Sequence, residues 1–197
     1  MAQADILVSG AWLWLAPEGT ASPDETSVIV GASWGGLWYW LGLTTAPLTV
    51  NITSEEFEVD VQQLTTAIMQ SITSEEITLS TTLAEMNAIN LQYLFGGNIT
   101  TTAPGVAQKG FTELKAGGRT QRTVYKVGFE ARHVVAGVLQ PIRLFFHRAT
   151  LALGGDIPFD KGAVAGVPIE ITVLADDSQA TDEKIFSYQK VTAAATP

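Results

Sequence analysis

Two stretches of this chain alternate between apolar and polar residues, and that period of two constrains the fold more than any other feature. Over residues 48–61, Val50 and Ile52 fall on one side and Thr49, Asn51 and Thr53 on the other. After Thr53-Ser54-Glu55 the parity reverses: Phe57, Val59 and Val61 are apolar, while Glu56, Glu58 and Asp60 are charged. Residues 75–83 repeat the theme, with Ile77, Leu79 and Leu83 apolar and Glu76, Thr78, Ser80 and Thr82 polar. Alternate side chains of a strand point to opposite faces of its sheet, so each stretch reads as a strand with one polar face. The reversal predicts a bulge, bend or turn beside Glu55. Ile-Thr-Ser-Glu-Glu occurs at 52–56 and again at 72–76, too short a match to signal a repeat architecture.

Most of the remaining chain also reads as strand. It is rich in Thr, Val, Ile and aromatic residues and is punctuated by Gly and Pro. Asp5–Val8 and Ala11–Ala16 form an opening strand ended by Pro17. Short runs follow at Val28–Val30 and Leu37–Leu43. In Thr123–Val135, Tyr125, Val127, Phe129 and Ala131 alternate with Lys126, Glu130 and Arg132. Ile142–Leu153 is apolar on both faces, which predicts a central strand. Pro168–Ala175 and Ile185–Val191 read as strands around an acidic loop, Asp176–Glu183. One helix is signalled by Thr82 and Glu85 as a capping box, apolar residues at helical spacing through Phe95, and a Gly96-Gly97 stop. Glycine-rich loop or arm segments are expected at about 17–36 and 105–122.

Charge is distributed unevenly along this pattern. Residues 1–108 hold eleven acids and no Lys or Arg; residues 109–197 hold all eleven bases and nine acids. The first part therefore repels nucleic acid and acidic surfaces, and the second holds the only cations able to answer it. Charged residues make up 16% of the chain, below the roughly 25% of ordinary soluble proteins, which predicts surface buried against other copies. With no cysteine there is neither a disulfide framework nor a thiolate metal site. The start, Met1-Ala2-Gln3-Ala4-Asp5, has no basic region of a secretory signal, so synthesis in a host cytoplasm is expected. Apolar stretches of about ten residues are too short to span a bilayer, so no membrane anchor is expected.

Candidate chemistry is sparse. Gly31-Ala32-Ser33-Trp34-Gly35 matches a hydrolase nucleophile elbow, but no helix pattern follows it, and a glycine-rich turn is the simpler reading. His133 and His147 fall in neighbouring strands without companion ligands, so no metal and no cofactor is expected. Glu56, Glu58 and Asp60 read as a solvated acidic face. Trp34, Trp38, Tyr39 and Trp40 form an aromatic patch suited to a core or to a subunit contact, with Trp38 and Trp40 as contact candidates.

The Ala16–Thr20 loop, the strand pair around Leu48–Asp60, and Ser74–Glu85 leading to a helix that ends in Gly96-Gly97 together resemble the major tail tube proteins of long-tailed bacteriophages. The likeness is best over residues 10–100 and extends to tube proteins of contractile tails and of type VI secretion. It implies a mainly β, sandwich- or barrel-like fold over one domain, residues 1–197, with one flanking helix at about 83–95. It further implies a non-enzymatic virion protein whose hexameric rings stack head-to-tail into a conduit for double-stranded DNA. Tape measure, tail terminator and baseplate or tip proteins are the implied partners.

A tube that passes DNA must not hold it, and phosphate affinity comes mainly from Lys and Arg. The alternation nominates Thr49, Asn51, Thr53, Glu56, Glu58, Asp60, Glu76, Thr78 and Ser80 as channel-lining, with Val50, Ile52, Phe57, Val59, Ile77 and Leu79 behind them as core. Lys109, Lys115, Arg119 and Arg122 are the candidates for contacts between rings, facing acids such as Asp24, Glu25 or Glu55 of a neighbour. The competing readings are a contractile-tail or secretion tube subunit, a carbohydrate-binding adhesion sandwich with exposed tryptophans, and an enzyme resting on Ser33.

Overall fold

The structure, a computed structural model, describes residues 10–24, 28–59, 68–135, 137–162 and 164–192. The expected strand Asp5–Val8 and the residues Glu25, Asp60 and Val61 lie outside them. The described chain is mainly β with one helix, as the alternation predicts. Its strands are β1 (Trp12–Pro17), β2 (Tyr39–Trp40), β3 (Thr49–Val59), β4 (Met69–Leu83), β5 (Asn98–Thr102), β6 (Phe111–Lys115), β7 (Val124–Val135), β8 (Val138–Leu153), β9 (Val167–Leu174) and β10 (Phe186–Lys190); the helix is α1 (Ala88–Phe95). Eight strands form one open sheet in the order β2-β1-β7-β8-β9-β4-β3, with β10 paired to β8, while β5 and β6 pair apart from it.

Every strand pairing among the described residues is antiparallel, and the registers divide the side chains between two faces. One face carries the main core: Leu13 and Leu15 of β1, Ile77, Leu79 and Leu83 of β4, Val127 of β7, Phe146 and Leu151 of β8, and Ile169 and Ile171 of β9. Leu94 of α1 joins this cluster, so the helix backs that face. The opposite face is covered only in part. Over β1, β7 and β8 it packs Trp14, Ala16 and Phe145 beneath Trp34 and Trp38 of the β1–β2 connection. Gly128 makes that packing possible: a Cβ there would stand 2.5 Å from the Trp34 ring. Gly128→Ala is expected to lower stability by about 1–3 kcal/mol through overpacking, measured by chemical denaturation.

The helix begins later than the capping box predicts. Thr82 and Leu83 remain in β4, paired with Pro168 and Val167, and the Thr81 hydroxyl donates to the Ala46 carbonyl at 2.9 Å. Asn87 is the cap instead; its side chain accepts from the Asn90 N–H at 2.8 Å. Sheet pairing holds the Thr82–Glu85 segment extended, and the next residue able to accept at a helix start takes the role.

One other expectation changes. The segment read as a loop over 105–122 contains β6, which returns along β5 to form a hairpin arm. On β7 the polar residues Lys126, Glu130 and Arg132 are not exposed as a group. Lys126 and Glu130 are buried at 9% and 1% exposure, because the chain between β1 and β2 folds back over that face.

Candidate functional site

The β3–β4 register decides how the acidic residues are arranged. Thr49, Asn51 and Thr53 oppose Ser80, Thr78 and Glu76, and Val50 and Ile52 oppose Leu79 and Ile77. The register shifts between Glu55 and Glu56, where the parity reversal placed a bulge. Beyond it Glu56 and Glu58 oppose Ile72 and Gln70. The skipped residue is Thr73 of β4, so alternation runs unbroken along β3, and Glu56 and Glu58, nominated for the Thr49–Thr53 face, fall instead on the side of Val50 and Ile52. Hydrogen bonds join the two strands on both sides of the bulge. The Thr49 and Ser80 hydroxyls meet at 2.7 Å, Ser74 donates to Glu55 at 3.1 Å, and the Gln70 amide donates to both Glu56 and Glu58.

The face continues onto β9, whose Glu170 and Thr172 oppose Ser80 and Thr78. These two, with Glu55 and Ser74, extend the set nominated by alternation; the Pro168–Ala175 pattern held the signal for Glu170 and Thr172 but not the register. No Lys or Arg occurs on β3, β4 or β9.

Opposite this polar face the ribbon is apolar before the bulge and largely uncovered. Ile77 and Leu79 are buried as expected, whereas Val50 and Ile52, expected as core, are 43% and 56% exposed. Past the bulge the exposed Phe57, also expected as core, and Met69 lie on the side of Thr49 and Thr53. Val50 and Ile52 stand on β3, the edge of the sheet, where nothing among the described residues covers them. The long outer edge of β3 has no partner strand among the described residues.

The rest of the polar-side surface is closed by the segment after β1, through a set of buried and half-buried cations. Arg143 and Glu130 form an ion pair at 2.9 Å, each side chain 1% exposed. Glu130 also accepts from the Gly31 N–H at 2.7 Å, and Arg143 donates to the Val28 carbonyl. Lys126 donates to the Thr20 carbonyl and the Ser22 hydroxyl, and burial pushes its ammonium below the ordinary lysine value. Arg148 pairs with Glu18 at 2.7 Å. Sequence alternation marked Lys126 and Glu130 as the polar side of β7 but carried no sign of what covers them.

The candidate contact residues fall in different settings. Lys109 and Arg122 are exposed, and Lys115 pairs weakly with Glu113 at 3.4 Å on the surface of the arm. Arg119 donates to the Leu94 carbonyl and so caps the C-terminal end of α1 in its own chain. Trp38 is buried, its ring edge-on to Trp34 and its indole N–H donating to the Ala21 carbonyl; Trp40 is more exposed. Ser33 accepts from the Gly35 N–H in a turn with no strand-to-helix geometry around it. Among the described residues no cluster of His, Asp and Glu could hold a metal ion.

A family model described as phage tail tube protein matches residues 2–195. The chain belongs to that family. No curated protein matches it. Membership makes it a structural component of the phage virion tail, one that assembles with itself and with other tail proteins. No helix among the described residues is long and apolar enough to cross a membrane. For a tail tube protein, a polar strand face without cations and an apolar reverse left uncovered are the two surfaces that bear most directly on assembly.

Proposed function

We propose that this tail tube protein acts as a single non-enzymatic domain over residues 1–197 and forms hexameric rings. The rings stack head-to-tail into a conduit for genome delivery. The face bearing Thr49, Asn51, Thr53, Glu76, Thr78 and Ser80 lines the channel; Glu56, Glu58 and Asp60 carry the acidic character of the ribbon on past the bulge. One observation carries this: an extended hydroxyl and carboxylate face, spanning three adjacent strands, without a single Lys or Arg. Double-stranded DNA presents one phosphate charge per about 1.7 Å of axis, and a wall without cations gives those charges nothing to bind.

The uncovered side of the same ribbon supports the ring. Val50 and Ile52, together with the open edge of β3, form an apolar strip and an unpaired strand that a lone subunit would leave in water. Pairing around a ring joins the ribbons of neighbouring subunits into a closed wall and covers the strip. The β5–β6 arm, carrying Lys109 and Lys115, with Arg122 beyond it, serves contacts between rings. Tape measure, terminator and baseplate or tip proteins are the partners at the ends of the tube. The purified protein is expected to form rings or tubes with a central channel in negative-stain micrographs. A uniform monomer at every concentration, persisting after addition of preformed tube ends, would overturn the reading.

A further inference from the structure

A cavity of about 510 Å³ opens beside the aromatic cluster, lined by Trp12, Trp14, Trp38, Trp40, Glu85 and Glu130 among others. Its carboxylates differ. Glu130 is taken by Arg143, whereas Glu85 has no ion pair or side-chain hydrogen bond among the described residues. Glu85 stands close over Gly42, where a Cβ would meet its carboxyl carbon at 2.9 Å, so the cavity wall is fitted around that carboxylate. Trp14 adds a buried indole N–H with no acceptor among the described residues. Arg132 of the same chain already stacks on the Trp12 ring at 3.6 Å, which leaves the other tryptophans and Glu85 as a surface suited to an apolar group carrying a cation.

The β5–β6 hairpin carries such a group at its tip. Gly105 and Gln108 exchange backbone hydrogen bonds of 2.9 and 3.2 Å across a tight turn. Val106 at its apex is fully exposed, and Ala107 takes a φ of +66°, a conformation that side chains other than glycine adopt at a cost. Lys109 follows at once, exposed and without an ion pair or hydrogen bond among the described residues. A strained turn that holds an apolar residue and a free cation in water has no gain within its own chain, and the full exposure of Val106 shows that it does not occupy its own cavity.

We propose that the hairpin tip of one copy docks into the tryptophan-lined cavity of another, Val106 against the tryptophans and Lys109 against Glu85. The occupant is a second copy because the charges match: the cavity is built mostly from the base-free first part of the chain, and Lys109 is the first cation after it. Knob and socket are different surfaces, so the contact is heterologous and propagates head-to-tail. This inference rests on the tube reading above and names the contact that links successive rings.

The absence of cysteine gives a clean test. A variant carrying Ser33→Cys at the cavity and Val106→Cys at the tip is expected to form a ladder of covalent multimers on mild oxidation, while each single variant gives none beyond dimers. Separately, Lys109→Glu and Glu85→Lys are each expected to lower tube yield about tenfold, the equivalent of one lost charge pair, and to restore it when combined. Tubes from the double cysteine variant without a ladder, or a combined charge variant no better than either single one, would overturn the docking and leave the tube reading standing. Failure of the unmodified protein to assemble at all would defeat both.

Discussion

Tubes carrying Glu55→Lys, Glu76→Lys and Glu170→Lys are expected to retain duplex DNA that unmodified tubes release. The three side chains share the Thr49–Thr53 face across β3, β4 and β9, so the substitutions convert an acidic strip into a basic one without touching the core. Repetition around a ring multiplies the change. A wall that engages about 6–10 phosphates loses roughly 10³–10⁵ in affinity between 50 and 200 mM salt, so retention should be strong at low salt and collapse across that range. Binding of labelled duplex to assembled tubes at the two salt concentrations reads this directly. In phage carrying the variant, genome release should slow or stop although tails form. Equal release from variant and unmodified tubes would place these residues away from the channel.

Glu130→Ala is the substitution expected to damage the subunit most. It leaves the Arg143 guanidinium buried without its carboxylate and removes the acceptor of the Gly31 N–H. Removing one member of a buried pair costs about 3–5 kcal/mol. In a chain of this size each kcal/mol shifts Tm by about 2–4 °C, so a fall on the order of 6–20 °C is expected. The segment between β1 and β2 should also become the first site of proteolysis, since Glu130 and Arg143 hold it through Gly31 and Val28. The combined Glu130→Leu and Arg143→Met change should recover much of the loss, because an apolar pair of similar volume removes the uncompensated charge. A Tm unchanged by Glu130→Ala would mean that the pair does not anchor the segment.

Much of the architecture was legible from local pattern. The strand alternation marked β3, β4, β7 and β9, and the parity reversal at Glu55 marked the bulge, because a period of two is imposed by the backbone itself. The helix was legible in kind but not in its start. A local cap motif at Thr82 competed with a sheet register, and only the position of β9 shows which prevails. The burial of Lys126 and Glu130 was not legible, since alternation reports that a face is polar but not what covers it. The exposure of Val50 and Ile52 escaped for the converse reason: their pattern is that of a core strand, and only the sheet order shows that β3 lies at the edge.

The sequence by itself determined a β-rich chain whose cations are all withheld until Lys109, and with them the absence of any base from β3 and β4. These are properties of composition and of near-neighbour periodicity, which do not depend on how distant segments meet. The tertiary structure alone decided that Glu56 and Glu58 leave the face of Thr49, Asn51 and Thr53, and that Glu170 and Thr172 extend that face. It also decided that the other half of that face is closed by a buried Arg143–Glu130 pair. Register and burial arise from pairing between residues far apart in the chain, and no local pattern encodes them.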